Sequence, residues 1–255
     1  MITQIELTNY CNLSCKGCRG LSSPRPKGFM DIKTFKKSID TCLQMKIEEV
    51  WLQNWGEPLL FPNLINFIKY ASSKIKTGFI SNGSLLTAYT LNKLKEAGLS
   101  DLDLSINQST PIDLRLHNIM IYKEAKELNI NCWIRSAIFN EKEYEDIETL
   151  RKEENLKIRY QRGMIYDNNK ERKADCPAID KNFIIYWDGR VIPCCQITNG
   201  ELCYGFIFDL DIIDRIKEGI LAIHNNIKIK KPYNVCKHCF EVDCNIPVRY
   251  KLGEK

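Results

Sequence analysis

Histidine is scarce in this chain. The three present, His117, His224 and His238, are too few and too scattered to build a histidine-based zinc or acid–base site. A secretion signal is also missing, because Met1-Ile2-Thr3-Gln4-Ile5-Glu6 has neither a basic start nor an apolar run. No apolar stretch approaches the roughly 18 residues of a membrane span. Charge of one sign is thin: the net +5 is spread along the chain and gives no reason to expect a nucleic-acid partner. Low-complexity segments are lacking too, and 44% hydrophobic residues suffice for a buried core. These absences predict a cytoplasmic globular protein with no membrane partner.

Cysteine is what the sequence has in excess, with twelve in 255 residues. In a secreted protein they would suggest disulfides; without a signal peptide they suggest metal ligands in a reducing compartment. Three lie in Cys11-Asn12-Leu13-Ser14-Cys15-Lys16-Gly17-Cys18, a C-x3-C-x2-C run. Soft thiolates packed this closely favour an iron–sulfur cluster or zinc over magnesium or calcium. A zinc ribbon would bring a second pair of ligands, yet the next cysteine is Cys42. A cubane held by three cysteines leaves one iron open to a small molecule. Cys42 and Cys132 fall on inferred core faces and are expected to be small hydrophobes.

The pattern around these cysteines alternates strand and helix. Strands are predicted over 2–7, 49–53, 76–80, 101–106, 132–139 and 157–161, where apolar residues alternate or run continuously. Helices are predicted between them: behind Asp31 as N-cap, from Pro62, behind Thr87, over 119–128 and over 144–152. Such βα repetition demands a parallel sheet with helices outside it. Six units fall short of a closed eight-fold barrel. The expected fold is therefore α/β, a partial (β/α)6 TIM-like barrel over residues 1–165. Its special turns, at Cys11–Cys18, Gly56–Pro58 and Ser81–Gly83, all follow strands, where such sheets gather chemistry. From 166 to 255 a small cluster-binding α+β domain is expected. It has Cys176, a hairpin at Asp188-Gly189, a helix near 210–223, and Cys236-x2-Cys239-x4-Cys244, and is too small to be held by an apolar core alone.

The C-x3-C-x2-C loop after the first strand, with Gly56-Glu57-Pro58 after the second, resembles the radical S-adenosylmethionine (SAM) superfamily. The resemblance implies that Cys11, Cys15 and Cys18 hold a [4Fe–4S] cluster whose open iron is chelated by SAM. It implies that Gly56, Glu57 and Pro58 contact the SAM amino group. By position it places Ser81 and Asn82 in the SAM pocket, with Ser105 and Asn107 near the ribose or carboxylate. The family's frequent aromatic before the third cysteine is Gly17 here, leaving Tyr10 or Trp55 to pack on adenine. The tail resembles the SPASM extension or its shortened twitch form. That implies one auxiliary [4Fe–4S] cluster on Cys176, Cys194, Cys236 and Cys239, with Cys244 as rival ligand. Cys195 is expected to point away from Cys194 as a strand neighbour, and Cys203 stays open.

The expected chemistry is reductive cleavage of SAM to a 5′-deoxyadenosyl radical, followed by hydrogen-atom abstraction and a two-electron oxidation of a small molecule. Arg135 and Tyr160 are candidate substrate contacts. The resemblance also implies an electron donor such as flavodoxin or ferredoxin. The alternative is oxidation, crosslinking or epimerisation of a ribosomally made peptide; the start directly at the first strand, without a leader-gripping module, argues for the small molecule. Rivals from other classes are an iron–sulfur electron carrier and a zinc-stabilised binding module.

Overall fold

The computed structural model describes residues 2–15, 18–107, 110–138, 141–162, 176, 183–200, 202–233 and 236. The chain runs β1 (Ile2–Ile5), α1 (Ile32–Gln44), β2 (Glu49–Trp51), α2 (Leu64–Ser72), β3 (Lys76–Ser81), α3 (Ala88–Glu96), β4 (Asp101–Ser105), α4 (Ile112–Glu127), β5 (Asn131–Ile138), α5 (Glu141–Glu153) and β6 (Ile158–Arg162). It continues with β7 (Ile184–Ile185), β8 (Arg190–Ile192), β9 (Gly205–Phe206) and α6 (Ile212–Lys228). Among the described residues nine strands form one sheet in the order β6-β5-β4-β3-β2-β1-β7-β8-β9. Pairing is parallel from β6 through β7 and antiparallel only within β7-β8-β9. The edges β6 and β9 do not meet, so this is the α/β fold with an open, partial barrel.

Side-chain alternation sorts the sheet into two faces. Val50, Leu52, Phe79, Leu102, Leu104, Cys132 and Ile134 face outward into the core under the helices. Cys42 and Cys132 belong to that core and are 0% and 2% exposed; burial pushes both thiols up, as expected of inert cysteines. The opposite strand positions, including Trp51, Asp103 and Arg135, face the concave interior.

Local signals explain most helix starts. Asp31 Oδ1 accepts hydrogen bonds from the N–H groups of Lys33 (2.8 Å) and Thr34 (2.9 Å), capping α1. The Thr34 backbone donor foremost holds the Asp31 carboxyl below its ordinary value. A depressed folded-state value stabilises above the unfolded carboxyl's range and is lost as pH falls through the folded one. Asp31→Ala is expected to cost about 1 kcal/mol at neutral pH. In urea denaturation that difference should fade as pH falls below the ordinary carboxyl range. Thr87 caps α3 in the same way, accepting from Thr90 N–H at 3.1 Å.

Two helix expectations need correction. The second helix begins at Leu64 behind Asn63, with Pro62 in the preceding turn. The fourth begins at Ile112, well before residue 119. Its first turns carry Ile112, Leu116 and Met120 on the solvent side, 65%, 53% and 61% exposed, so no inward apolar stripe announces them.

The tail shares the barrel's core. β7 pairs with β1 through Gln4↔Ile184 and Ile5↔Ile185. Phe183, Ile185, Val191, Ile207, Ile212 and Ile216 pack in the same cluster as Ile5 and Phe35. These strands continue the barrel's sheet, and the expected boundary at 165/166 lies outside the described residues. The hairpin expected at Asp188-Gly189 is the β7–β8 turn, with Gly189 at φ +87°, where a Cβ would be strained. The linker at 170–173 also lies outside the described residues.

Candidate functional site

The loop after β1 is closed at its base by reciprocal bonds. Asn9 Nδ2 donates to Pro26 O (2.8 Å), Gly28 N–H donates to Asn9 Oδ1 (3.0 Å), and Thr8 Oγ1 donates to Gly28 O (2.8 Å). Within it Cys18 N–H donates to Cys15 O at 3.1 Å. Desolvation raises the Cys11 and Cys15 thiols; Cys18 adds to the rise at both, and Cys11 to that of Cys15. The Leu13 backbone and the Asn82 side chain favour the Cys11 thiolate by hydrogen bonding. The crowding that opposes ionisation of Cys11 and Cys15 would be relieved by a cationic centre, which deprotonates its thiols on binding. Among the described residues no three His, Cys, Asp or Glu side chains are drawn together as a single-ion site. Three thiolates on one short loop suit a four-iron cubane, which spreads its ligands over separate irons.

Gly56, Glu57 and Pro58 follow β2 and lie directly on this loop. Glu57 N–H donates to Tyr10 O at 2.7 Å. Gly56 is pressed so close that a Cβ would meet Thr8 O at 2.1 Å and Tyr10 O at 2.9 Å. Glu57, 2% exposed, turns inward. Its carboxylate accepts from Leu59 N–H (3.1 Å), Ser81 Oγ (2.8 Å) and Asn82 N–H (2.8 Å). Burial pushes its carboxyl up while these donors hold it down, and burial wins. Glu57 thereby ties the β2 turn to the β3 turn.

Asn82 Nδ2 donates to Asn12 Oδ1 (2.9 Å) within the cysteine loop, and Asn12 Nδ2 donates to Ser84 Oγ (2.8 Å). Asn118, fully buried on α4, donates through Nδ2 to Asn82 O (3.0 Å) and Ser105 O (3.1 Å). It joins the ends of β3 and β4, and the sequence reading missed it. An Asn on the inward face of a helix was the available signal. Asn107 O accepts from Thr110 N–H (2.9 Å) and Arg115 Nη2 (3.1 Å), closing the turn after β4. The structure thus brings Cys11, Cys15, Cys18, Gly56, Glu57, Pro58, Ser81, Asn82, Ser105 and Asn107 to one end of the sheet, at the C-terminal ends of β1 to β4.

Other candidates separate. Arg135 points into the barrel interior, bonded to Asp103. Tyr160 does not: it lies on the outer face against α5, where its hydroxyl donates to Glu148 and its ring packs on Tyr144. Its register places it opposite Ser136, one residue past Arg135, and that one step reverses the face. Tyr10 stacks on Phe29 with centroids 5.0 Å apart. The Trp55 indole is committed elsewhere, donating Nε1–H to Cys195 O at 2.9 Å.

That contact leads to the second group of cysteines. Cys194 and Cys236 pack with Trp55 and Tyr233 against Ile184, Tyr186 and Ile192. Cys176, Cys194 and Cys236 all lie close enough to raise the Tyr204 phenol, after burial, which is the largest cause. The Tyr204 hydroxyl is buried and has no hydrogen-bond partner among the described residues. A buried donor without an acceptor is costly; sulfur of a cluster held by these cysteines would supply one. Cys239 and Cys244 lie outside the described residues, as does His238. Cys194 and Cys195 occupy a turn after β8 rather than a strand, so strand alternation does not orient them. Cys195 is 9% exposed within the apolar cluster, whereas Cys203 is exposed, its thiol donating to Gly205 O at 3.2 Å.

The Cys194 turn is locked to the first cysteine loop by groups the sequence reading did not single out. Arg25 makes a bidentate pair with Glu6 (2.7 and 2.9 Å), lies 3.6 Å over the Tyr186 ring, and donates Nε–H to Thr198 O at 3.2 Å. Ser23 Oγ donates to Thr198 O (2.6 Å) and Arg19 Nη1 donates to Gln196 Oε1 (2.6 Å). Asn54 Nδ2 completes Glu6 at 2.9 Å. The signal was Glu6 itself, a charge between Ile5 and Leu7, both of which are in the core.

The family model for the radical SAM superfamily matches residues 5–153. An AdoMet-dependent heme synthase of Methanosarcina barkeri is 34% identical over 104 residues, 40% of this chain and 30% of the relative. The chain thus spans less than a third of that curated relative. Among solved structures, BtrN in complex with AdoMet and 2-DOIA superposes with TM-score 0.71 at 19% identity, covering 98% of this chain and 96% of BtrN. Streptococcus suis SuiB bound to precursor peptide SuiA gives TM-score 0.66 at 14% identity, covering 84% and 63%. These structures share the open barrel. No described helix is long and apolar enough to cross a membrane. With its family model covering more than half its length, the chain belongs to the radical SAM superfamily of enzymes.

Proposed function

We propose that the protein cleaves SAM reductively and abstracts a hydrogen atom from its substrate, in a two-electron oxidation of a small molecule. In this reading Cys11, Cys15 and Cys18 hold the [4Fe–4S] cluster. Gly56, Glu57, Pro58, Ser81, Asn82, Ser105 and Asn107 line the SAM pocket. Residues 166–255 act as a SPASM- or twitch-like region. There Cys176, Cys194, Cys236 and either Cys239 or Cys244 hold one auxiliary cluster, and Tyr204 donates its hydroxyl to that cluster's sulfur. Flavodoxin or ferredoxin delivers the electron.

The observation that carries the reading is the wiring of the three turns. Glu57 bonds the cysteine loop through its N–H and the β3 turn through its carboxylate, so the cluster ligands and the pocket residues hold one fixed geometry. When bound, the cluster supplies the electron that breaks SAM. The chain's own work is to hold the three thiolates, orient SAM against the Gly56–Pro58 backbone, and face the substrate cavity with the concave side of β4 to β6. Peptide modification is the second reading, favoured by the likeness to SuiB, whose structure is bound to a precursor peptide, and by a PqqA peptide cyclase 29% identical over 108 residues.

Anaerobic reconstitution should load about eight irons per chain, falling to about four in Cys15→Ala and in Cys194→Ala. With reductant, the wild type should convert SAM to 5′-deoxyadenosine, and Cys15→Ala should lose this at least about a thousandfold. Cluster loading without any SAM cleavage would make the protein an electron carrier, and zinc without iron would make it a binding module.

A further inference from the structure

Asp103, Arg135 and Arg159 meet on the concave face of β4, β5 and β6. Asp103 is fully buried, and both guanidiniums lean on the same oxygen. Arg135 donates Nε–H (2.9 Å) and Nη2–H (2.7 Å), and Arg159 donates Nη1–H (3.1 Å), all to Asp103 Oδ2. Asp103 Oδ1 is buried with no hydrogen-bond partner among the described residues. A pair built only to neutralise this carboxylate would need one arginine and would serve both oxygens. Here a second guanidinium is held in place, and Arg159 has Nε–H and Nη2–H without a partner among the described residues.

Register sets the height of the group in the barrel. Ser105 pairs with Arg135 and Arg135 with Arg159, so the three form one row across β4, β5 and β6. Ser81 is level with Leu104, which puts that row within one residue of the SAM-side turn at Ser81-Asn82. The arginines therefore face the barrel mouth, with Arg135 beside Ser105 at the margin of the proposed SAM pocket and Arg159 one strand further away. Tryptophan rings frame them: Arg159 lies 4.7 Å from the Trp133 centroid and 5.5 Å from Trp51, and Arg135 lies 6.0 Å from Trp51. Their side chains are 11% and 21% exposed, so they are drawn from water and still reachable.

Charge completes the picture. Glu6 and Arg25 neutralise each other. Lys76, Glu49 and Asp101 form their own cluster at the opposite ends of the strands, with Lys76 47% exposed. At the Asp103 level two cations face one anion, leaving one positive charge in excess among the described residues. Planar donors in a fixed fork, desolvated and backed by aromatic faces, match a carboxylate or phosphate.

We infer that Arg135 and Arg159 form the anion subsite of the substrate cavity, so that the substrate carries a carboxylate or phosphate group. The inference rests on the barrel interior being the substrate cavity, as proposed above. Asp103 positions the two guanidiniums, and the anion takes the N–H groups that Asp103 leaves free.

The test is equilibrium dialysis of the reconstituted, unreduced protein against 32P-labelled inorganic phosphate and, separately, 14C-labelled succinate. One saturable site is expected, shared by the two anions and retained with saturating SAM. Arg159→Gln, which leaves Asp103 its Arg135 partner, should weaken anion binding about 10- to 100-fold while SAM binding stays within about twofold. Arg159→Lys should recover part of the loss. Absence of a saturable site in the wild type would overturn the inference, as would binding indifferent to Arg159→Gln. Displacement of phosphate by SAM, together with loss of SAM binding in Arg159→Gln, would assign the arginines to SAM's own carboxylate and overturn it too. None of these readouts needs SAM cleavage, so failure of the radical chemistry and failure of the anion subsite are seen separately.

Discussion

Arg25→Met is expected to lower the unfolding free energy by about 3–5 kcal/mol. The substitution keeps most of the side-chain volume but strands Glu6, which is 0% exposed just past β1 and would retain Asn54 as its one donor among the described residues. A buried carboxylate without its cation is among the costliest defects a single change can produce. Glu6→Gln in the same background should restore part of the loss, because the remaining group is then neutral, and the pair should couple strongly in a double-mutant cycle. Urea denaturation of the four proteins measures this; a loss under about 1 kcal/mol for Arg25→Met would refute it. A second readout follows from Arg25 holding Thr198 O and the Tyr186 ring. Alkylation of Cys194 in the cluster-free protein should quicken several-fold once the 194–198 turn is released.

Gly56→Ala should be comparably severe and more selective. The added methyl would stand 2.1 Å from Thr8 O and 2.9 Å from Tyr10 O, and backbone atoms cannot rotate aside as a side-chain tip can. One strand of the contact must move, at a cost of about 3 kcal/mol or more. Because Thr8 and Tyr10 lead directly into Cys11, the movement is delivered first to the first cysteine set, whereas Cys194 and Cys236 meet it through the Trp55 side chain that packs with them. The variant should lose most iron at the first site and keep it at the second, so iron per chain falls by about half. Full iron content with unchanged stability would show that Gly56 has room the geometry denies.

Much of this arrangement was legible in the residues. The cysteine spacing, the βα alternation and the turn chemistry at Gly56 and Ser81 are local signals, and, α4 apart, each element they mark begins within a few residues of its expected place. What was not legible depends on register and on distance along the chain. Arg135 and Tyr160 look equally plausible as strand-end polar residues, but a single step in register puts one in the cavity and the other under α5. Arg25 and Glu6 are 19 residues apart and pair only because the cysteine loop folds back on β1. The early turns of α4 were invisible for the opposite reason: Ile112, Leu116 and Met120 show a helical stripe facing water rather than the core.

The parallel pairing of β1 with β7 also sets a timetable for assembly. Ile5 and Ile185 are separated by 180 residues of chain yet sit side by side. At about 5–20 residues per second, a ribosome needs roughly ten to forty seconds to make the stretch between them. For that interval β1 has β2 on one flank and an open row of backbone donors and acceptors on the other, the kind of edge that recruits other chains. The first cysteine loop hangs from this strand, and the turn that locks it, at Cys195 to Thr198, emerges later still. Iron delivered early would meet three thiolates on an unfinished scaffold; iron delivered after β7 docks would meet a closed one.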